Sequence, residues 1–421
     1  MKIAVVGSGI SGLAAAHLLS AKHEVKVFEK NDYIGGHTAT VEVELAGKQY
    51  AIDTGFIVFN DKTYPLFRRL MRELQVPWRD TEMSFSVMDK AQRLEYNGHN
   101  LNTLFAQRRN LFKPSFWRLI RGILTFNREA KAALARGEDL DNVTLGEFLQ
   151  RHQLPQAVIE QYLLPMVAAI WSASLAEAEG FPLGFFLRFF ENHGLLNVAD
   201  RPQWATIVGG SKQYIPALTA RFADKIELNT TLQAVTRKGE GQGVELQFSD
   251  GSVQHFDEVI LACHSDQALE LLTDASADER AVLGAIPYQN NEVVLHTDIN
   301  LLPRARLAWA SWNYLLHTGA EARTRPSSVT YNMNILQGID APETFCVTLN
   351  NTQAIAPDKI LRQFNYAHPV YSVESLQARQ QRALICGKQH THFAGAYWYN
   401  GFHEDGLRSA VDVAERLGAA W

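Results

Sequence analysis

Cysteine is scarce: Cys263, Cys346 and Cys386 are the only three in 421 residues. An odd and widely spaced set builds no disulfide framework, so reduced thiols and a cytoplasmic setting are expected. Long apolar runs are also missing. YLLPMVAAIW (162–171) and FPLGFFLRFF (181–190) come nearest, but each carries Pro or Arg, whereas a membrane span needs about 18 unbroken apolar residues. Charge of one sign is not in excess: 40 Lys and Arg face 45 Asp and Glu, a net −5, without the basic surplus that nucleic-acid binding requires. Metal-ligand spacing is confined to His390 and His392. No Cys, Asp or Glu pattern completes a set, so no metal is expected. No compact catalytic triad is found, and Gly9-Ile10-Ser11-Gly12-Leu13 lacks the last glycine of a nucleophile elbow. Lys2 with Ala14-Ala15-Ala16 mimics a secretory leader, but the glycines and serines inside that stretch argue against one.

What is there starts at once. IAVV (3–6) runs into GSGISG, an alanine-rich helix follows, and VKVFEK ends on Glu29. This is the order strand, tight turn, helix, strand, acid that a dinucleotide-binding βαβ unit needs. Gly7 permits the sharp turn, Gly9 lets a pyrophosphate approach the backbone, and Gly12 lets the helix pack close to the strand. Amides of Ser8, Ile10 and Ser11 face the phosphates, where the helix dipole favours anions. Glu29 can accept from both hydroxyls of a ribose and would repel a 2′-phosphate.

At 46% apolar and 20% charged residues the composition is that of an ordinary folded protein, and the length calls for two domains, interleaved along the chain. VEVEL and KQYAID read as strands around Ala46-Gly47, and 64–74 as a helix. Residues 100–191 are mostly helical by periodicity. Short strands return from Ile207 to Cys263, with Gly239, Gly241 and Gly243 at a hairpin tip. VVLHTD, ARLAWASW, SVTYNMN and TFCVTLN continue the strand pattern. THFAGAY is a last strand, followed by a helix closed by Gly418.

Four further segments resemble the flavin amine oxidase superfamily, which also holds phytoene desaturases and protoporphyrinogen oxidases. They are GGH (35–37), DTGF (53–56), VGGSKQYIPALTARF (208–222) with the strand after it, and FAGAY…GFHEDGLRSA (393–410). LHTD, WASWNY, VTYNMN, VTLN and HPV are similar to a bacterial branch of predicted NAD/FAD-binding oxidoreductases, some of whose neighbours modify fatty-acyl chains. The resemblance implies an α/β fold: a Rossmann-like FAD-binding domain (1–60, 195–265 and 385–421) with an inserted α+β substrate or cap domain (61–194 and 266–384). It implies FAD held by Gly7, Ser8, Gly9, Ile10, Ser11, Gly12, Glu29, Lys30, Gly36, His37, Gly55, Phe56, Val235, Gly395, Asp405, Gly406 and Leu407. Val235 would offer its backbone to the adenine. The positive end of the last helix, near Asp405-Gly406-Leu407, would meet the flavin C2 carbonyl, with Gly406 lying against a flat ring.

Two departures matter. Amine oxidases of this superfamily often carry a lysine where Asn291 falls, and no Lys occurs in 288–302, which demotes amine oxidation. His37 replaces the usual Arg and leaves the phosphate with a mostly neutral neighbour. The expected function is an FAD-dependent oxidoreductase that takes hydride from a lipophilic acyl or polyene substrate, with no protein base required. With a single nucleotide site, electrons would leave to oxygen, a quinone or a protein carrier. The rivals are an amine oxidase and, from another class, a flavin-bound isomerase or non-redox structural partner.

Other residues carry two readings each. His403 handles a proton or caps the last helix. His296 and Asp298 line the cavity or pack. Trp309, Trp312, Tyr314 and Tyr397, Trp398, Tyr399 wall a tunnel or fill a core. Residues 107–131 hold seven Lys or Arg among Leu111, Phe112, Phe116 and Trp117. They read as a basic amphipathic helix on an anionic inner membrane face or as a cap helix with a solvated basic side.

Overall fold

Ile3, Ala4, Val5 and Val6 are buried, as a central strand covered on both faces must be. A computed structural model of the protein describes residues 1–138, 140–197, 200–239 and 241–421. In it the first strand (Lys2–Val6) lies at the middle of a five-stranded sheet. The order across the sheet is Ile226–Glu227, Glu24–Phe28, Lys2–Val6, Glu258–Leu261 and Thr391–Phe393, every pair parallel. The nucleotide helix (Ile10–Leu19) is buried nearly all round, because it is roofed by the terminal helix (His403–Arg416).

A second sheet has seven strands in the order Ile360–Pro369, Tyr288–His296, Cys346–Leu349, Val329–Asn332, Trp312–Leu316, Phe85–Asp89 and Leu94–Asn97. Helices between 101 and 192 share a core with Val87, Leu94, Tyr96, Tyr314 and Val329 of this sheet. The hairpin of Thr40–Leu45 and Lys48–Asp53 turns at Ala46 and Gly47, both at positive φ, the geometry a two-residue hairpin turn demands. The expected hairpin at the second glycine cluster joins Leu232–Arg237 to Val244–Phe248; its residue 240 lies outside the described residues.

Several expectations are corrected. ARLAWASW is not a strand: Arg306–Ala308 form one 3-10 turn and the strand starts only at Trp312. The last strand stops at Phe393, and Ala396–Trp398 turn back as a 3-10 segment. The helix in 208–222 is two short pieces, Ser211–Tyr214 and Ile215–Thr219. The domain boundaries at 60 and 265 fall short of the packing. Phe67, Leu70, Met71 and, later, Ala268, Val282 and Leu283 belong to the core beneath the five-stranded sheet. Moreover, Trp204–Ile207 pairs with Val58–Asn60 on one side and Trp78–Thr81 on the other, so one small sheet crosses the expected border. Residues 198 and 199, inside the expected 195–265 segment, lie outside the described residues.

Candidate functional site

The three glycines of GSGISG differ in what holds them. Gly7 sits at φ +104, a conformation only glycine adopts freely, and a side chain there would press on the Ala262 carbonyl. A side chain on Gly12 would drive into the carbonyl of Gly7. Gly9 has neither constraint: its backbone is φ −68, ψ 178, and nothing lies within 4 Å of where its Cβ would be. The space beside Gly9 is free of protein atoms, at the N-terminus of a helix with no side-chain cap. An anion fits there by charge and by room.

Around this turn the second glycine pair is docked. The Gly35 amide donates to the Ser8 carbonyl at 3.0 Å, and a side chain on Gly36, itself at φ +57, would contact Gly9 Cα. Glu29 is buried, and its two oxygens already accept four hydrogen bonds: the Ser8 amide and hydroxyl on one, the Asn31 amide and side-chain amide on the other. A ribose diol can take the places of the two side-chain donors. Lys30 is exposed, beyond this network. Asp53 of DTGF faces away from it and is a hub: it accepts from Ser211 N and Oγ, Thr40 Oγ1 and Gln337 Nε2. Burial pushes its pKa up to about 6. Gly55 leaves room for the His37 carbonyl, which takes the Phe56 amide at 2.8 Å.

The terminal helix starts at His403, so the amides of 403–405, rather than those around 406, form its free positive end. Asp405 caps its own helix by accepting from the Phe402 amide, and burial raises its pKa to about 7. Glu404 caps a different helix: its two oxygens accept from the Leu66 and Phe67 amides at 2.9 and 2.8 Å, at the start of Pro65–Glu73, which has no other side-chain cap. His403 stacks on Phe56 at 3.8 Å and pairs with the Tyr214 hydroxyl; burial lowers its pKa to about 3, so it is a neutral packing group. Gly406, expected against the ring, is also fixed by packing. A side chain there would meet Ile10 Cγ2 at 2.7 Å, and the Gly406 carbonyl takes the Ser11 hydroxyl, so this glycine serves helix-to-helix packing. Leu407 is core. Gly395, at the end of the last strand, donates its amide to Ser409 Oγ.

Sequence reasoning missed a ring cluster between the two main sheets. His37, expected on the phosphate, turns its imidazole to Tyr366 at 4.9 Å and His368 at 5.6 Å. Burial, with His368 and His264 near, lowers its pKa to about 3. His368 Nδ1 lies 3.0 Å from Ser172 Oγ and 3.3 Å from Asn291 Nδ2. Asn291 Oδ1 accepts from Asn350, which fixes its amide so that Nδ2 donates to His368. The proton of the neutral ring is therefore on Nε2. His368 is held neutral by burial, its pKa lowered to about 4. Ser172 reaches this place through an irregular helix. Pro165 lacks an amide for the helical ladder, Ile159–Leu163 widen into a π-turn, and the helix ends with Ser172 at φ 56. Trp171, Phe181, Phe185, Phe189, Tyr371 and Phe402 form the adjoining aromatic wall. The runs YLLPMVAAIW and FPLGFFLRFF, which hold Trp171 and the phenylalanines from Phe181 to Phe189, were signals of it, and core helices give the same signal.

The remaining candidates lie elsewhere. Val235 is buried and its carbonyl accepts from the Thr273 amide and hydroxyl, so it has no acceptor to offer. The chain passes closer to Glu29 three to five residues earlier, where the Thr230 amide donates to the Glu29 carbonyl. His390 and His392 both bind the carboxylate of Glu258, and no cluster of three metal-binding side chains occurs among the described residues. His296 pairs with Thr348 and Asp298 caps a turn, so both are packing groups. Tyr397 and Trp398 are in the first core, Tyr314 in the second, and Trp312 packs on Tyr331. Trp309 anchors its indole on the Pro303 carbonyl. Pro114–Ala135 packs Phe116, Leu119 and Phe126 inward, yet Phe112 is 86% and Leu101 75% exposed.

The family model of flavin containing amine oxidoreductases matches residues 10–298. A putative flavin-containing monoamine oxidase, AofH of Mycobacterium tuberculosis, is 27% identical over 250 residues, 57% of this chain and 52% of its own. The aligned part thus spans about half the length of that relative. A 1-hydroxycarotenoid 3,4-desaturase of Flavobacterium sp. is 41% identical over 96 residues, 23% of this chain and 18% of its own. Among solved structures, a fatty acid isomerase from P. acnes superposes with a TM-score of 0.68 at 16% identity, covering 98% of both chains. That last likeness is one of fold.

Proposed function

Because the chain belongs to the flavin containing amine oxidoreductase family, we propose that it is an FAD-dependent oxidoreductase that removes hydride from a lipophilic substrate, an acyl or polyene chain. The observation that carries the cofactor is Gly9, a glycine that neither its own backbone angles nor any protein neighbour requires. The diphosphate would lie beside it on the amides of the nucleotide helix, the ribose at Glu29, and the adenine near Thr230–Leu232. The ring would be bounded by the Gly55-Phe56 turn, His37 and the first turn of the terminal helix. Bound there, FAD supplies the hydride acceptor.

The residues of the chain then do three things. The aromatic wall receives an apolar chain and excludes water. His368 presents an Nε2–H donor that can hold one acceptor oxygen of the substrate. Asn291 and Ser172 fix that ring's tautomer. Asn291 in place of a lysine, and the lack of any carboxylate hydrogen-bonded to His368, Asn291 or Ser172 among the described residues, speak against an amine. The test is anaerobic mixing of the yellow, FAD-loaded protein with unsaturated acyl chains, a polyene and primary amines. Bleaching of the band near roughly 450 nm by the apolar substrates alone is expected. Bleaching by amines alone would replace this reading with amine oxidation, and turnover of a lipid without bleaching would favour an isomerase.

Delivery of such a substrate fits the basic helix. With Phe116 and Leu119 facing the core, Leu111, Phe112, Trp117 and Leu124 remain exposed beside Arg118 and Arg121. Apolar side chains interleaved with exposed cations suit an anionic bilayer surface. Vesicles of anionic lipid should bind the protein and neutral ones should not, each cation near the surface contributing about 1 kcal/mol. Reversing charge at both Arg118 and Arg121 should therefore release it from vesicles and leave FAD content unchanged. Equal binding to neutral and anionic vesicles, in sedimentation at low salt, would exclude this role.

A further inference from the structure

Glu258, His392 and Cys386 form a chain of carboxylate, imidazole and thiol at the edge of the five-stranded sheet. The strands Glu258–Leu261 and Thr391–Phe393 run parallel, with Ile260 opposite His392. On that shared face the Glu258 carboxylate holds both histidines, His390 Nδ1 at 2.9 Å and His392 Nε2 at 3.1 Å. His392 is only 4% exposed, and its other nitrogen, Nδ1, meets no nitrogen or oxygen partner among the described residues. That nitrogen is aimed at the turn that carries Cys386. A side chain on Gly387 would meet His392 Cε1 at 3.6 Å and Nδ1 at 3.8 Å, and the ring acts on the Cys386 sulfur.

The sulfur is placed as an acceptor. The Phe393 amide donates to Cys386 Sγ at 3.4 Å. The thiol's own proton finds only the Phe393 carbonyl, at 3.8 Å, and Arg382 Nη2 already donates to that oxygen at 2.9 Å. A sulfur that receives an amide and an imidazole, with a guanidinium near, is favoured as the thiolate. Burial opposes the charge, but His392, Arg382 and the Phe393 amide together hold the Cys386 thiol below its usual range. Burial opposes the charge on His392 too, yet Cys386 and Glu258 hold its pKa above the usual histidine range. At Cys263 and Cys346 the loss of water around the sulfur prevails and raises the pKa, at Cys263 to about 12.

We propose that Cys386 is a modification site, a thiolate oxidised by hydrogen peroxide or another small peroxide, with His392 as proton donor and Glu258 holding the ring. Sγ attacks one peroxide oxygen, so that an S–O bond forms and the O–O bond breaks. The sulfur gives two electrons to the peroxide and becomes a sulfenic acid. The leaving hydroxide takes the His392 Nδ1 proton and departs as water. Access is through a single turn. Gly387, Lys388 and Gln389 are exposed, and Gln389 and His390 stand at φ 48 and 60, where residues with side chains are rarely held. Opening of this turn alone would admit a molecule as small as hydrogen peroxide.

The test treats FAD-loaded protein with hydrogen peroxide in the presence of dimedone, which traps sulfenic acids, and locates the adduct by mass spectrometry. Because the oxidant is added, the outcome does not depend on what the flavin oxidises. Cys386 should be modified about tenfold or more faster than Cys263 or Cys346. Exposure alone gives another order, since only Cys263 of the three retains some surface. Cys386→Ser should keep its FAD and give no adduct at that position. His392→Asn should slow modification of Cys386 by about tenfold or more, the loss of its proton donor. Glu258→Gln, which keeps the shape and removes the charge behind the ring, should slow it in the same sense. A histidine that merely props the turn would act in reverse, because its loss loosens the cover and speeds the reaction. Three results would overturn the proposal: an adduct on Cys263 or Cys346 ahead of Cys386; no adduct on Cys386 until the protein is unfolded in urea; or equal or faster modification of Cys386 in either variant that still binds FAD.

Discussion

Gly9→Val is expected to give a folded protein that purifies almost free of flavin, while Gly12→Ala is expected to give little folded protein at all. The two positions are three residues apart and look equivalent in the motif. At Gly12 any Cβ drives into the Gly7 carbonyl, a backbone atom fixed by the sheet. Relief would require the nucleotide helix to part from the first strand, an overpacking cost of about 3 kcal/mol or more. At Gly9 a valine meets no protein atom and keeps its extended backbone. What it displaces is the diphosphate, together with charge-assisted bonds worth about 1.5–3 kcal/mol each. Melting curves and flavin absorbance on both variants separate the effects. A Gly9→Val protein with full FAD occupancy would show that the diphosphate lies elsewhere.

The second large effect is expected at Asp53. Its carboxylate joins the end of the hairpin strand Lys48–Asp53, the turn before Ser211 and Gln337 of the inserted part. Asp53→Ala leaves the Ser211 amide, two hydroxyls and a side-chain amide without their acceptor, and should destabilise the protein by about 3–5 kcal/mol. The pH dependence has a definite sign. Burial raises the folded pKa to about 6 from the ordinary 3.8. The folded state therefore holds this proton more tightly than the unfolded chain does. Its contribution is complete below about pH 4, declines as pH rises through 4 to 6, and is absent above. Asp53→Asn should remove up to about 1 kcal/mol per pH unit of that decline. Asp405, whose pKa is raised to about 7, adds a decline that extends further and stays in the variant. Urea unfolding at pH 4.5 and 7 measures both, and identical slopes for parent and Asp53→Asn would refute the assignment.

The nucleotide half was legible because its constraints are local. A parallel strand, a glycine turn and a helix within 20 residues leave few alternatives, and Gly7, Gly12 and Glu29 stand where the motif puts them. The ring cluster was not legible. Ser172, Asn291 and His368 are separated by more than 70 residues at each step, and they meet only because the antiparallel pair Tyr288–His296 and Ile360–Pro369 sets Asn291 opposite Tyr366. No periodicity announces a neutral histidine whose tautomer is fixed by an asparagine. At Val235 the missing information is of another kind. Strand pattern located Leu232–Arg237, but which of its carbonyls is free depends on Thr273, which returns to it from beyond the sheet. Gly406 reads as a place for a ring, and its contact with Ile10 shows only in the fold.

The cap that Glu404 places on Pro65–Glu73, and the last strand at the sheet's edge, also set an order of events during synthesis. The nucleotide helix leaves the ribosome almost 400 residues ahead of the helix that roofs it. Until it arrives, Leu13, Ala14 and their neighbours have an uncovered apolar face, and the helix at 65–73 has amides with no acceptor. The nascent half cannot close by itself, and pairing of such distant segments is slow. The covering of that face and the capping of that helix therefore wait on one late segment, so a chain cut short before His403 would expose both at once.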